Sequence, residues 1–256
     1  MKLKLISIAL LYTVHVNSQT TAIPDPAFES ALIDLGFDTG PIDGSVPTSN
    51  IDTIQTLNLG SVSNTVSDLS GIENFTALNT LWCQWNQLTS LDVSQNANLV
   101  NLICFGNQLT SLTIPSSVTD LICDQNNLTE LDLSQNVIIN LQCHFNNLNC
   151  LNLNNDVAAL TEFEVHNNPN LTCIEVDDVA WANANLSVYL DPQNFFSNDC
   201  GNSCSATAGL AEIEKTDKEL LMIVDYLGRE TIQKPNTPLI YIYSDGTRER
   251  LMEIEN

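Results

Sequence analysis

The chain holds three histidines, His15, His144 and His166. His15 falls in an N-terminal apolar run. His144 and His166 recur in one column of a repeated pattern, with Asp124 and Glu164 in neighbouring positions. Two imidazoles and a carboxylate on adjacent rungs have the donor types for Zn²⁺ or Cu²⁺. A metal-binding or hydrolytic surface protein using His144, His166 and Glu164 is therefore the alternative reading. On an open, wet surface such a site is weak, so no metal and no cofactor are expected. There is no Gly-rich phosphate loop, nucleophile elbow or H-E-x-x-H motif. Catalysis is not expected.

Eight cysteines supply the other reactive groups. Cys83, Cys104, Cys123 and Cys143 are 21, 19 and 20 residues apart. Leu81, Leu102, Leu121 and Leu141 keep the same steps, as do Asn86, Asn107, Asn126 and Asn146. Each copy reads L-x-x-L-x-C-x-x-N-x-L, with aliphatic substitutes in the first column. A further copy carries Phe163, Val165 and Asn168. A second motif is nested inside, Leu91-Asp-Val93, Leu112-Thr-Ile114, Leu131-Asp-Leu133 and Leu151-Asn-Leu153. A period near 20 with this pattern is the leucine-rich repeat signature. It predicts a β-solenoid, mostly β, with two extended segments per turn.

Stacking turns bury what one turn cannot. The Leu and Cys columns point inward, and the four repeat cysteines read as buried thiols filling the core. Neighbours in such a column have parallel Cβ vectors, unsuited to disulfides. The Asn column also points inward, where each amide can bond turn backbones above and below. Cys150, Cys173, Cys200 and Cys204 lie outside this column. They allow three pairings, with Cys173–Cys200 and Cys150–Cys173 in competition.

Residues between the inward ones face solvent. Three columns result: Trp82, Ile103, Ile122, Gln142 and Glu164; Gln84, Phe105, Asp124, His144 and His166; Trp85, Gly106, Gln125, Phe145 and Asn167. The first rungs are aromatic and apolar. The expected ligand-binding face is Trp82, Gln84, Trp85, Ile103, Phe105, Ile122, Asp124, His144, Phe145 and His166. Exposed aromatics on a rigid sheet mark recognition surfaces.

The remaining boundaries follow from composition. Residues 1–18 carry two lysines and then an apolar run, a secretory signal peptide. The run is too short to anchor in a bilayer. Residues 19–77 form an N-terminal cap and degenerate first turns, with an amphipathic helix within 24–38. Repeats span 78–176, residues 177–200 cap the far end, 201–210 are a small-residue linker, and 211–256 form a small all-β domain.

The repeats resemble the short bacterial class common in secreted Bacteroidota proteins, and residues 67–78 resemble internalin-like opening turns. The tail resembles a type IX secretion sorting domain, through Val224–Glu230, Asn236–Tyr243 and Asp245-Gly246-Thr247. These resemblances imply export, secreted or outer-surface localisation, and contact with the type IX machinery.

Charge completes the reading. The chain has 8 basic and 31 acidic residues, a net charge of −23. Residues 19–210 carry 21 acidic side chains and no Lys or Arg. Nucleic acid is excluded as a partner, and membrane insertion is not expected. The sequence predicts a monomeric, exported, non-catalytic recognition module for a protein or glycan ligand. A charged partner would be cationic or Ca²⁺-bridged.

Overall fold

The computed structural model describes residues 19–60, 65–201 and 204, plus the backbone of strands at 220–224, 239–243 and 248–251. The expected signal peptide, most of the linker and the Ser244–Thr247 turn lie outside the described residues. The chain divides into two compact units, one ending at residue 206 and one beginning at residue 207.

The first unit is a coil of short parallel strands. Strands Thr56–Asn58, Thr80–Trp82, Asn101–Ile103, Asp120–Ile122, Asn140–Gln142 and Glu162–Glu164 form one six-stranded sheet. Register pairs Leu57, Leu81, Leu102, Leu121, Leu141 and Phe163 in a single inward row. All six are buried.

A second, four-stranded parallel sheet joins Glu130–Asp132, Cys150–Leu153, Cys173–Val176 and Phe195–Ser197. Strands Ser90–Asp92 and Ser111–Thr113 pair separately. The break coincides with the shortest repeat turn, Ile114-Pro115-Ser116-Ser117-Val118. Sister turns place Ser94 and Ser134 where Pro115 stands. Their N–H groups donate to Asp92 and Asp132 at 2.9 and 3.0 Å. Proline has no N–H to give.

The N-terminal cap is built around helix α1, Pro26–Asp34. Asp25 is its N-cap, and Pro26 takes the first helical position, where its missing N–H costs nothing. Phe28 and Leu32 are buried, and the Phe28 ring lies 6.2 Å from Phe75. The helix is shorter than the expected amphipathic stretch because Gly36, at φ 81°, turns the chain out of it. Gly71, at φ 102°, lets the cap close on the coil. A Cβ there would lie 2.5 Å from Ile23 Cδ1 and 2.6 Å from the Ala22 carbonyl.

Two buried carboxylates tie the cap together without any cation. Asp25 accepts from the Ala27 and Phe28 N–H groups, the Ser67 N–H and hydroxyl, and the Asp68 N–H. Burial pushes its carboxyl up, but these hydrogen bonds outweigh burial and hold it below the ordinary value. Glu29, fully buried, accepts from Asp43 N–H and Gly44 N–H at 2.7 and 2.8 Å.

The far end was expected to leave the repeat period. It does so at helix α2, Val179–Asn185, but Phe195–Ser197 then adds another rung to the second sheet. Asp177 accepts from Asp156 and Val157 N–H groups, and these outweigh burial to hold its carboxyl below the ordinary value.

Disulfides join Cys173 to Cys200 and Cys150 to Cys204. The Cys150–Cys173 alternative is not formed. Leu151 and Ile174 are register partners on parallel strands, so the preceding cysteines point the same way instead of at each other. Each reaches the chain segment beyond the coil. No helix among the described residues is long and apolar enough to cross a membrane.

The second unit shows one antiparallel sheet, with Leu239–Tyr243 between Leu220–Val224 and Arg248–Leu251.

Candidate functional site

The site grows from the asparagine ladder. Asn107, Asn126, Asn146 and Asn168 each accept from a backbone N–H of the preceding turn, those of Leu88, Leu109, Leu128 and Leu148, at 2.9–3.1 Å. Each amide nitrogen donates to a preceding-turn carbonyl and to one in its own turn. For Asn126 these are Cys104 and Cys123, both at 3.1 Å. Asn86 accepts from the Val66 N–H. The ladder was expected to bridge turns above and below. It bonds only its own turn and the one before, so it is directional.

Bonding its own turn also bends the chain. Asn86 donates to the carbonyls two and three residues earlier, and Asn107, Asn126 and Asn146 do the same. This tight return puts the residue just before the ladder into the left-handed region. Trp85 has φ 56°, Gly106 65°, Gln125 52°, Phe145 51° and Asn167 58°. For a residue with a Cβ this costs about 1–2 kcal/mol. Glycine and asparagine accept it most readily. Tryptophan and phenylalanine do not.

The two bulky residues at these strained positions are exposed. Trp85 is 53% and Phe145 52% accessible, and Trp82 on the adjacent column is 37%. Gly106 makes room for the Trp85 indole, since a Cβ there would lie 2.6 Å from its Cε3. The Phe105 ring meets the indole edge-on at 5.3 Å. Gln84 packs against Gly60, where a Cβ would lie 2.5 Å from its Cδ. Ile103, Phe105 and Ile122 are half-buried. The N-terminal rungs thus present a pre-set aromatic platform with apolar support.

The other end is a polar cluster. The His144 and His166 rings stack at 4.8 Å and 16°, with Phe145 edge-on to both. His144 Nδ1 lies 3.4 Å from Glu164 and Nε2 lies 3.7 Å from Asp124. Asp124 was expected on the solvent-facing surface. It is buried instead, at 5% accessibility, beside His144. Burial pushes its carboxyl up, and the neighbouring His144 only partly offsets this. Among the described residues no group of three or more His, Cys, Asp or Glu is placed to hold a metal.

The repeat cysteines are free and fully buried. Burial pushes Cys83 up to about 12. Burial raises Cys104, Cys123 and Cys143 as well, with smaller contributions from neighbouring thiols and Asp124. The thiolate is the nucleophile and the metal ligand. Buried and protonated, the column packs as small apolar filler.

Sequence reasoning missed the left-handed column and a second ladder. Asn96 donates to the Ile72 and Phe75 carbonyls, and Asn136 to those of Pro115 and Val118. The repeated phrase ending in Ser-Gln-Asn carried that signal. Gly106, alone among bulky neighbours, carried the other.

No protein-family model matches the chain, and no curated protein matches it. Among solved structures, it is similar to the functional domain of InlJ from Listeria monocytogenes, described as including a cysteine ladder. The TM-score is 0.52 and the identity 31%, over 62% of this chain and 38% of that one. This chain is a leucine-rich repeat solenoid. It spans 38% of the length of the InlJ structure it matches. An internalin C2 from the same species overlaps 71% of this chain and 100% of its own, at TM-score 0.35 and 18% identity.

Proposed function

We propose that the solenoid is an exported, non-catalytic recognition module. It binds a partner at the cell surface or outside it through the face of the six-stranded sheet, centred on Trp82, Trp85 and Phe105. The observation that carries this is Trp85. A large exposed aromatic stands in a strained backbone conformation that Gly106 and Asn167 show to be cheaper to fill otherwise. Every turn adopts this conformation, so it is the bulky exposed aromatic kept where glycine or asparagine fits better that supports a functional role. A preformed rigid platform also lowers the entropy cost of binding.

Two disulfides support an oxidising compartment. Export then runs through the signal peptide at 1–18, with residues 211–256 as the sorting domain read by a type IX system. The boundaries at 19–77, 78–176 and 177–200 are proposed as cap, repeats and closing cap.

The test is a surface-protein pull-down and a glycan array with the chain lacking residues 1–18. A Trp82→Ala/Trp85→Ala variant should lose at least about tenfold in binding while keeping its circular dichroism spectrum. Undiminished binding by the folded double variant would place the site elsewhere.

A further inference from the structure

Register sets the chemistry around the platform. Each strand of the six-stranded sheet presents two outward residues flanking its buried centre. These run Thr56/Asn58, Thr80/Trp82, Asn101/Ile103, Asp120/Ile122, Asn140/Gln142 and Glu162/Glu164. Adjacent strands are about 4.8 Å apart. Asp120 therefore stands two rungs from Trp82 and one row over, in the Thr80 row, about 12 Å away on the diagonal, and shares its rung with Ile122. Glu162 is exposed, and the side chain of the half-buried Glu164 is 45% accessible. Exposed tryptophans lie at one end of this surface, aliphatic side chains next to them, and carboxylates beyond.

No cation of the coil neutralises these acids. Residues 19–210 contain no Lys or Arg. Among the described residues, His144 is the only basic side chain within ion-pair distance of a carboxylate.

We propose that the partner is a basic protein segment, which lays arginine or lysine side chains across this face. This deepens the proposed function and rests on it. The three parts of the surface match the three parts of such a side chain. A cation over the face of tryptophan is attracted by the ring quadrupole. The alkyl stem covers the half-buried Ile103 and Ile122, as long basic side chains do on apolar surface. A further cation meets Asp120 or Glu162. The unopposed negative field of the coil steers such a partner in and repels acidic ones.

The experiment titrates residues 19–256 with hexa-arginine, hexa-glutamate and maltohexaose, following tryptophan fluorescence and heat. Hexa-arginine should bind and the other two should not. Removing face charge with Asp120→Asn/Glu162→Gln/Glu164→Gln should weaken it about tenfold, as should Trp82→Ala/Trp85→Ala. Removing equal charge elsewhere, with Asp34→Asn/Glu130→Gln/Glu175→Gln, should weaken it less than about threefold.

Equal losses from the two charge triplets would reduce the effect to net charge and overturn the proposal. Indifference to the tryptophans, or no binding of hexa-arginine, would overturn it too. Binding of maltohexaose that depends on Trp82 and Trp85, without hexa-arginine binding, would overturn the basic partner while leaving the recognition face standing. Loss of tryptophan dependence in the pull-down and the array would remove the face itself.

Discussion

Asn126 and Asp124 stand two residues apart, both buried, and their polar groups meet opposite fates. The Asn126 amide accepts from the Leu109 N–H at 2.9 Å and donates to the Cys104, Cys123 and Asp124 carbonyls. The Asp124 carboxyl looks toward His144 at 3.7 Å and is pushed up by burial. A turn in a solenoid offers both donors and acceptors, and a neutral amide answers both. A carboxylate answers donors alone. Asp25 makes the same point from the other side, since it is buried where five donors converge. The amides of the ladder from Asn107 to Asn168 are therefore answered on both their oxygen and nitrogen sides, whereas the Asp124 carboxyl is not. Stability rests on the ladder, and the proposed recognition uses the outer face.

The sharpest way to break that division is Asn126→Ala. It strands a buried N–H and buried carbonyls, at about 1–3 kcal/mol per group. A total loss of about 3 kcal/mol is expected, read as a fall in the urea midpoint. A loss below about 1 kcal/mol would mean that water replaces the ladder and that it does not hold the coil.

Asp25→Ala comes next, at about 2 kcal/mol, because it removes a helix N-cap and the anchor of residues 67–68. Its pH signature has a definite sign. The folded carboxyl titrates below its unfolded value, so its contribution is present above about pH 4 and is lost as pH falls through the folded value. The variant should lose less stability on acidification than the parent, as measured by thermal melts from pH 7 to pH 3.

Asp124 should show the reverse. Its folded carboxyl titrates above the unfolded value, so its ionised form opposes folding and protonation relieves this as pH falls. Asp124→Asn should leave the protein at least as stable at pH 7 and remove that relief. A destabilised Asp124→Asn variant at pH 7 would show that the pairing with His144 outweighs burial.

Much of this division was legible in the sequence, because a solenoid writes its core as columns. The spacing of Leu81, Cys83 and Asn86 named the inward rows, and every member of those rows is buried. The amphipathic stretch within 24–38 marked the cap helix, found at Pro26–Asp34. What periodicity could not supply was anything set by contact between turns or with the segment after them. Cys150 pairs with Cys204 across 54 residues because parallel strands forbid it Cys173. Asp124 sank below the surface because His144 and Glu164 belong to later turns. The strain at Trp85 depends on a hydrogen bond made by Asn86, one residue on, and only Gly106 in the same column hinted at it.

The smallest effect is the most telling. In Trp85→Ala the indole's contacts with Phe105 and Gly106 go, at about 1 kcal/mol, while the left-handed strain remains. In Trp85→Gly the same contacts go, but about 1 kcal/mol of strain goes as well. That gain is partly offset by the entropy a glycine adds to the unfolded chain, about 0.5–1 kcal/mol. At an ordinary β or helical position alanine is the more stable of the two. Here Trp85→Gly should equal or exceed Trp85→Ala in urea melts, with both weakened in binding. The same comparison at Phe145, also left-handed, should give the same order, whereas at Trp82, which lies in a strand, alanine should win. If alanine is clearly the more stable at both Trp85 and Phe145, the outer face carries no stored strain, and its aromatics sit there at no cost to the fold.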